Sequence, residues 1–338
     1  MNETTEGVQS VLDKVGSHER VAAILRCLSC SGPLVEAPTG LACVACRHQY
    51  PVVNGVVRFV DGEHYARSFG FQWLTFRKTQ LDTDGNRASE SAFRDRTGFS
   101  PEDLAGKLVL DVGCGMGRFA EVATRWGATV VGIDLNRAVE AARENLRDRE
   151  AVFFQADVFE LPFAPASFDY IYSIGVLHHT PNCEQAFKIL PGLLKPGGRI
   201  AIWLYSGYNK WYRTSDLYRK LTRRMSPETV YRLAHIAVPM YIVHQFLRSI
   251  PLVGKPISGV MKYLLPMSFH PDPRMRVLDT LDWYSPWYQS KHTYEEVFRW
   301  FEDCGLKDLR VILQPIAVQG QRPLESQEST GGGTMGAA

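Results

Sequence analysis

The chain has 338 residues, a mass of 38.1 kDa and a formal net charge of +2 at pH 7, and 45% of its residues are hydrophobic. These are ordinary values for a globular protein that can bury a sizeable core, although the chain is long for one domain. No run of about 18 apolar residues occurs, so the sequence predicts no membrane-spanning helix. The opening MNETTEGVQS contains acids and no apolar core, so we expect no signal peptide.

Residues 1–20 are polar, and we expect a flexible N-terminus. Seven cysteines cannot all pair with one another, and four of them form two C-x-x-C steps that twelve residues separate. This pattern favours a reducing compartment, the cytoplasm, and a metal site over a secreted disulfide framework. The candidate metal ligands are Cys27, Cys30, Cys43 and Cys46.

These four thiols predict a zinc ribbon over residues 21–60. Four thiolates within tetrahedral reach form a closed structural site, because they leave no coordination position for a substrate. A redox dithiol is the alternative, but no strand–helix pattern of the thioredoxin type follows. Asn54-Gly55 between two β-branched runs predicts a hairpin at the end of the ribbon.

A polar segment that is rich in large aromatics follows at residues 61–105. It is too aromatic for a simple linker, so we expect it to pack on the next domain as a lid or connector. Its SFGFQW stretch predicts that Phe71 and Trp73 exclude water from a bound ligand. Burial of these rings as ordinary core is the alternative.

From Lys107 the sequence alternates between strand, glycine turn and helix. This rhythm is typical of an α/β fold in which helices cover both faces of a doubly wound, mostly parallel sheet. The five strands predicted are 108–112, 129–133, 152–156, 170–173 and 199–204. The rhythm then stops, which predicts a helical insertion at 206–280 before a last helix and strand pattern. Residues 323–338 are typical of a disordered tail.

The first glycine turn reads DVGCGMG at residues 111–117. Its glycines alternate, and Arg118 stands where a dinucleotide-binding turn requires its third glycine. A long side chain there argues against a pyrophosphate on the helix start. Asp111 precedes the first glycine, and a carboxylate suits a cationic ligand group better than a phosphate.

The turn resembles the first motif of class I S-adenosylmethionine-dependent methyltransferases, and the similarity covers residues 106–322. Asp134 and Asp157 at the ends of the second and third strands, and Ser173-Ile174 at the fourth, match the family in the same order. The resemblance implies a Rossmann-like fold with a seven-stranded sheet, a ribose-binding role for Asp134 and an adenine-facing role for Asp157. The implied S-adenosylmethionine-binding residues are Asp111, Gly113, Cys114, Gly115, Gly117, Asp134, Leu135, Asp157, Val158, Ser173 and Ile174.

The resemblance also implies that Asp111 lies near the amino group of the cofactor. Methyl transfer is a direct displacement that needs no nucleophilic residue, so Cys114 is interpreted as small packing in the turn. A general base is useful when the acceptor is a hydroxyl, an amine or a carbon acid. The candidate bases are His178 and His179, which follow the fourth strand. Capping of the next helix or contact with the cofactor is the alternative role.

The cysteine unit resembles the small zinc-binding activator of tRNA and ribosomal methyltransferases, here fused to an enzyme. That resemblance implies that the ribbon stabilises the catalytic domain by covering apolar surface. It also implies that the metal is structural and takes no part in the reaction.

The predicted insertion is basic: twelve Lys or Arg residues against three acids between Ser206 and Arg276 give a charge of +9. Interleaved aromatics favour an anionic partner, which could be RNA, a phosphorylated small molecule or a membrane contacted peripherally through 206–280. A solvated helical face is the alternative. The stretch from Asp282 onwards, DWYSPWYQSKHTYEEV, resembles acceptor-side segments of small-molecule methyltransferases. The candidate substrate-binding residues are Phe71, Trp73, Tyr205, Tyr208, Tyr284 and His292.

Three functions are compatible with these patterns. The favoured one is an enzyme that methylates a small-molecule or lipid-like acceptor, anionic or phosphorylated. An RNA methyltransferase that docks tRNA or rRNA with the ribbon and the insertion is the alternative, although the sequence contains no Asn-Pro-Pro-Tyr-like motif. A binding module without catalysis is the third, and the intact acids at three strand ends argue against it.

Overall fold

The computed structural model describes residues 19–62, 67–76, 79–83, 85–208 and 213–324, so most of the predicted flexible N-terminus and tail lies outside it. Its strands are β1 (Leu34–Ala37), β2 (Gly40–Cys43), β3 (Gln49–Val53), β4 (Val56–Arg58), β5 (Leu108–Val112), β6 (Thr129–Asp134), β7 (Ala151–Gln155), β8 (Phe168–Ile174), β9 (Leu194–Trp203), β10 (Lys307–Val311) and β11 (Ala317–Gln321).

Its helices are α1 (Glu19–Ile24), α2 (Arg67–Thr75), α3 (Ala88–Thr97), α4 (Pro101–Leu104), α5 (Arg118–Arg125), α6 (Ala138–Asn145), α7 (Cys183–Ile189), α8 (Arg213–Thr222), α9 (Pro227–Ala234), α10 (Ala237–Ser249), α11 (Gly254–Leu264), α12 (Pro273–Tyr284) and α13 (Tyr294–Asp303). Among the described residues, every helix is too short or too polar to cross a lipid bilayer.

One sheet of eleven strands runs through the protein in the order β1-β2-β3-β4-β7-β6-β5-β8-β9-β11-β10. The seven strands from β7 to β10 are the predicted sheet, in which only β11 runs antiparallel to its neighbours. The Rossmann-like, mostly parallel fold is therefore confirmed. The chain order reverses between β5 and β8, and ligands of such sheets bind in the crevice at the carboxyl ends of the strands beside that point.

The strand β9 is longer than the sequence predicts. It begins at Leu194, whereas the predicted strand begins at residue 199. Leu194 pairs with Phe168, and the register then shifts before Arg199 pairs with Tyr170. The extra residues read LKPGG, and proline with two glycines is ordinarily a turn signal rather than a strand signal.

The cysteine unit joins the same sheet. Its strand β4 pairs in parallel with β7, with Val57 opposite Phe154. Arg58 donates a hydrogen bond to Gln155 Oε1 at 2.7 Å and forms a buried ion pair with Glu140 of α6. The sequence predicts the hairpin before β4 correctly, because Asn54 and Gly55 form its two-residue turn with φ of +51° and +74°. It does not predict that this hairpin extends the sheet.

Two phenylalanines of the segment predicted as a connector, 61–105, pack in the core of the α/β domain. Phe93 of α3 is fully buried, with ring centroids 5.0 Å from Tyr172 and 5.3 Å from Trp126. Phe99, before α4, is buried in the same cluster. This segment therefore completes the core on one face of the sheet.

The predicted helical insertion forms α8 to α12. The packing of α9 and α12 buries Val230, Ala234 and Leu281 in a small core to which Phe76 of the connector also belongs. Helices α10 and α11 pack against each other as a hairpin. The insertion thus has its own apolar cluster beside the carboxyl edge of the sheet.

Candidate active site

A cavity of about 130 Å³ lies where the carboxyl ends of β5, β6, β7 and β8 meet. Its lining residues are Phe69, Val112, Gly113, Cys114, Gly115, Met116, Phe119, Ile133, Asp134, Leu135, Asn136, Ala156, Val158, Ile174, Gly175, Val176, His179, Thr180 and Asp282. The glycine turn lines this cavity together with a histidine and a carboxylate from distant segments.

Two glycines of the turn have different structural tasks. Gly113 has φ of +79°, and a Cβ built on it would lie 2.3 Å from Val176 Cγ1. Only a glycine therefore lets the loop after β8 cross the turn at this distance. Gly117 begins α5 with φ of +87°, and its Cβ would lie 2.7 Å from Leu146. Contrary to expectation, Gly117 is absent from the cavity lining and serves helix packing.

The carboxylate of Asp134 is held at the end of β6. Its Oδ2 accepts a hydrogen bond from the Gly115 backbone N–H at 2.9 Å. Its Oδ1 accepts from the Asn136 side chain at 2.6 Å. Leu135 and Val158 form the adjacent apolar wall. A carboxylate beside an apolar slot fits a ribose that is joined to a planar base.

Asp111 and Ser173 differ from the expectation for cofactor-binding residues. Asp111 is buried below the turn, where Tyr172 donates a hydrogen bond to its Oδ2 at 2.9 Å. Burial, opposed by that hydrogen bond, raises the pKa of Asp111 to about 8. Ser173 is also buried, and its hydroxyl donates to the Val112 carbonyl at 2.9 Å. Neither side chain lines the cavity, because both are tied to the strands beneath it.

Asp157 follows β7 and likewise does not line the cavity. Its Oδ1 accepts a hydrogen bond from the Phe159 backbone N–H at 3.1 Å and so closes a turn. Its neighbours Ala156 and Val158 are the residues that face the cavity, together with Ile174 from β8.

His179 is the histidine that lines the cavity. Its Nδ1 lies 3.0 Å from the Tyr288 carbonyl oxygen. A carbonyl can only accept, so Nδ1 has the hydrogen and Nε2 has the lone pair. Burial lowers the pKa of His179, although the nearby charge of Asp282 opposes this. The imidazole is therefore neutral near pH 7 and can accept a proton.

His178, the other predicted base, points away from the cavity. It is fully buried, and its ring lies 4.0 Å from the ring of Tyr205, centroid to centroid. Neither ring nitrogen has a hydrogen-bond partner among the described residues. Burial lowers the pKa of His178 well below its usual value. His178 therefore packs on Tyr205 beside His179 and does not line the cavity.

Asp282 also lines the cavity, although the sequence analysis placed it only in an acceptor-side stretch and not among the candidate substrate-binding residues. Tyr205 donates to its Oδ2 at 2.6 Å, and Gln72 Nε2 lies 3.4 Å from its Oδ1. Its only sequence signal is its place in the DWYSPWY stretch. Tyr205 itself does not line the cavity and reaches it through Asp282.

Phe69, and not Phe71, is the lid residue that lines the cavity. The Phe69 ring lies 4.8 Å from that of His179. The Phe71 ring packs on Tyr231 of the insertion at 5.8 Å. The two residues lie two positions apart on α2, so they point to different sides of the helix. The side chain of Trp73, the other predicted lid residue, lies outside the described residues.

The remaining predicted substrate residues lie away from the cavity. Tyr208 is exposed and donates to Glu295 at 2.7 Å. Tyr284 donates to the Pro266 carbonyl within the insertion. His292 lines a neighbouring open cleft of about 600 Å³, which meets the first cavity at Thr180. The acids of that cleft include Glu184, Glu296 and Asp303.

The four cysteines of the ribbon come together. Their sulfur atoms all lie within 4.8 Å of one another, with Cys27–Cys46 at 3.5 Å and Cys30–Cys43 at 3.4 Å. A tetrahedral zinc with Zn–S bonds of about 2.3 Å places its sulfurs about 3.8 Å apart. The cluster therefore has the geometry to hold one such ion.

Comparison with known proteins decides the family. The family described as "Methyltransferase domain" matches residues 110–202. The Acinetobacter baumannii protein named ubiquinone biosynthesis O-methyltransferase is 31% identical over 164 residues, which cover 46% of this chain and 68% of that protein. The chain belongs to the S-adenosylmethionine-dependent methyltransferases.

Other relatives match segments of similar length. Methyltransferase GfsG of Streptomyces halstedii is 44% identical over 162 residues, 45% of this chain and 55% of that protein. The sterol 24-C-methyltransferase erg6 of Schizosaccharomyces pombe is 31% identical over 162 residues, 46% of this chain and 40% of that protein. The chain thus spans about half the length of these two relatives.

Proposed function

We propose that the protein transfers a methyl group from S-adenosylmethionine to a small-molecule or lipid-like acceptor that has an anionic group. One observation carries the proposal: a single cavity joins the glycine turn and Asp134 to His179 and Asp282. The residues proposed to bind the cofactor and the residues proposed to transfer the proton therefore line the same cavity. Relatives named for sterol and ubiquinone methylation support a small acceptor.

The chain's residues would hold the cofactor in defined ways. Asp134, Leu135 and Val158 line the same cavity. Asp134 would accept hydrogen bonds from the ribose hydroxyls, and Leu135 with Val158 would contact the adenine faces. Gly113 and Gly115 leave space for the methionine part because they have no side chains. Bound S-adenosylmethionine supplies an electrophilic methyl group on a sulfonium sulfur. Phe69 lines the same cavity and would exclude water from the bound cofactor.

His179 is the proposed general base. The Tyr288 carbonyl fixes its ring and its tautomer, so that Nε2 accepts the proton that the acceptor loses. The negative charge of Asp282 stabilises the imidazolium that results. Tyr205 and Gln72 hold Asp282 in place. These residues are drawn from the sheet, the lid and the insertion.

Arg219 of α8 is the proposed partner for an anionic acceptor group. Its side chain is 11% exposed, and its Nη2 lies 3.0 Å from Asp216 Oδ1. Its Nη1 is buried without a hydrogen-bond partner among the described residues. Its charge also contributes to the lowered pKa of His179, after the larger effect of burial, so it lies within electrostatic reach of the base. An acceptor phosphate or carboxylate would satisfy Nη1.

The cysteine cluster is proposed to hold a structural zinc. Four thiolate ligands close the coordination sphere, so the ion would stabilise the fold and take no part in methyl transfer. Because β4 pairs with β7, the ordered ribbon would support the edge of the catalytic sheet. In this role it corresponds to the methyltransferase activator that it resembles. A closed site of four thiolates favours a reducing compartment, so we propose a cytoplasmic location.

A transfer assay with labelled S-adenosylmethionine tests the proposal. The acceptor pools are total RNA and a nuclease-treated extract of small molecules and lipids. We expect label in the extract, loss of transfer with His179→Gln, and unchanged transfer with His235→Gln, a control at an exposed histidine. Label that appears in the RNA alone would replace the proposed acceptor by RNA.

A further inference from the structure

The hairpin of α10 and α11 exposes apolar side chains along its length. Helix α10 buries only Ala237 and His244, and α11 buries only Gly254 and Ser258. At the start of α11 only a glycine fits, because a Cβ on Gly254 would lie 2.1 Å from the Leu247 carbonyl oxygen of α10. The large apolar residues that face solvent are Ile242, Val243, Phe246, Leu252, Val253, Ile257, Val260 and Leu264. A surface of this kind marks an interaction site.

The tip of the hairpin is its most exposed apolar point. Leu252 is 98% exposed and has φ of +64°, a conformation that branched side chains adopt rarely. The tip sequence, residues 250–253, is Ile-Pro-Leu-Val. Burial of this exposed side chain in an apolar environment is favourable, because it removes apolar surface from water. The tip therefore points to an occupant that is apolar.

The charges of the hairpin indicate that this occupant is also anionic. Residues 229–271 contain no aspartate or glutamate. They contain four basic residues, Arg232, Arg248, Lys255 and Lys262. Arg248 precedes the apolar tip and Lys255 follows it, so the tip has a cation on each side. Apolar residues between cations are typical of segments that bind the interface of an anionic bilayer.

We propose that the α10–α11 hairpin docks the enzyme on an anionic lipid bilayer. Leu252 and Val253 enter the boundary between headgroups and acyl chains, while Arg248 and Lys255 contact lipid phosphates. The helices have 13 and 11 residues, which suits insertion at the interface and not a crossing of about 20 residues. A second copy of the chain fits less well, because two hairpins without acids repel each other.

The inference rests on the proposed function only for its link to catalysis: docking would bring the enzyme to a lipid-like acceptor. Binding to vesicles needs neither cofactor nor acceptor. It can therefore be measured separately from methyl transfer, and each proposal can fail without the other.

Vesicle flotation with the full chain tests the docking. The vesicles are phosphatidylcholine alone and phosphatidylcholine with phosphatidylglycerol. We expect flotation with the anionic vesicles only, weakened by salt. Leu252→Asp and the double variant Arg248→Glu/Lys255→Glu should each lower the partition coefficient about tenfold or more. The matched control is Leu313→Asp, which alters a leucine that is 76% exposed between β10 and β11.

Three results would overturn the docking proposal. The first is a wild-type protein that stays unbound with anionic vesicles. The second is equal loss of flotation with the Leu313→Asp control. The third is a dimer in sedimentation that Leu252→Asp dissociates, which would make a second copy the occupant. S-adenosylmethionine binding by each variant, measured by calorimetry, should equal that of the wild type and shows that the variants are folded.

Discussion

The hydroxyl of Tyr205 donates a hydrogen bond of 2.6 Å to Oδ2 of Asp282. Tyr205 follows the sheet strand β9, and Asp282 lies on the insertion helix α12. This bond ties the acceptor side of the cavity to the sheet that holds the cofactor side. Correct placement of Asp282 near His179 therefore depends on contacts between segments that are distant in sequence.

Tyr205→Phe should lower kcat while it leaves S-adenosylmethionine affinity unchanged. The hydrogen bond to a carboxylate contributes about 1.5–3 kcal/mol, so we expect a loss of about tenfold or more. Tyr205 does not line the cavity, so the residues proposed to hold the cofactor should stay in place. Steady-state kinetics and calorimetry measure the two quantities. The control is Tyr170→Phe, which changes a tyrosine near the start of β8 that does not line the cavity.

The rate should depend on pH through His179. The neutral imidazole is the active form, and its pKa is lowered, chiefly by burial. The rate should therefore fall only below about pH 6.5, the ordinary pKa of histidine. His179→Gln should remove this acid limb and lower kcat by about 10²–10⁴. An acid limb that persists in the variant would show that another group is the base.

Asp111 should make the protein less stable as the pH rises from about 4 to 8. In the folded state its pKa is raised to about 8, mainly by burial, so the carboxyl stays protonated there. In the unfolded chain it ionises near pH 4, so unfolding releases a proton within this window. The Asp111→Asn variant has no carboxyl to ionise at this position. Its unfolding temperature at pH 8 should therefore exceed that of the wild type by about 5 °C or more. The difference should vanish near pH 4.

Calorimetric scans at several pH values measure this difference. If the difference between the unfolding temperatures of Asp111→Asn and the wild type narrows as the pH rises, Asp111 is not protonated in the folded state. Tyr172→Phe provides a second check. Loss of its hydroxyl removes the hydrogen bond that holds the pKa of Asp111 down.

Metal analysis should find one zinc ion per chain. A chelator that removes it, or Cys43→Ser, should lower the unfolding temperature of the whole catalytic domain, because β4 and β7 share hydrogen bonds. The control is Cys304→Ser, which changes a cysteine at the end of α13 that is not part of the cluster. This variant should have the zinc content and the unfolding temperature of the wild type. If chelation leaves the unfolding temperature unchanged, the zinc-bound ribbon does not stabilise the catalytic sheet.

Local patterns in the sequence determined the glycine turn, the parallel strands and the hairpin at Asn54-Gly55. Each depends on neighbouring residues: a glycine permits a positive φ, and a buried parallel strand is a continuous apolar run. The cysteine spacing has the same local character. These features depend on short stretches of chain, so the sequence alone is sufficient to predict them.

Only the tertiary structure decided which of these residues meet in the cavity. The sequence could not choose His179 over His178, or Phe69 over Phe71, because packing decides which face of a short element turns inward. Asp282 joins His179 across about a hundred residues, and β4 joins β7 across a similar separation. Long-range contacts of this kind leave no local pattern, since they depend on the shapes that distant segments present to each other.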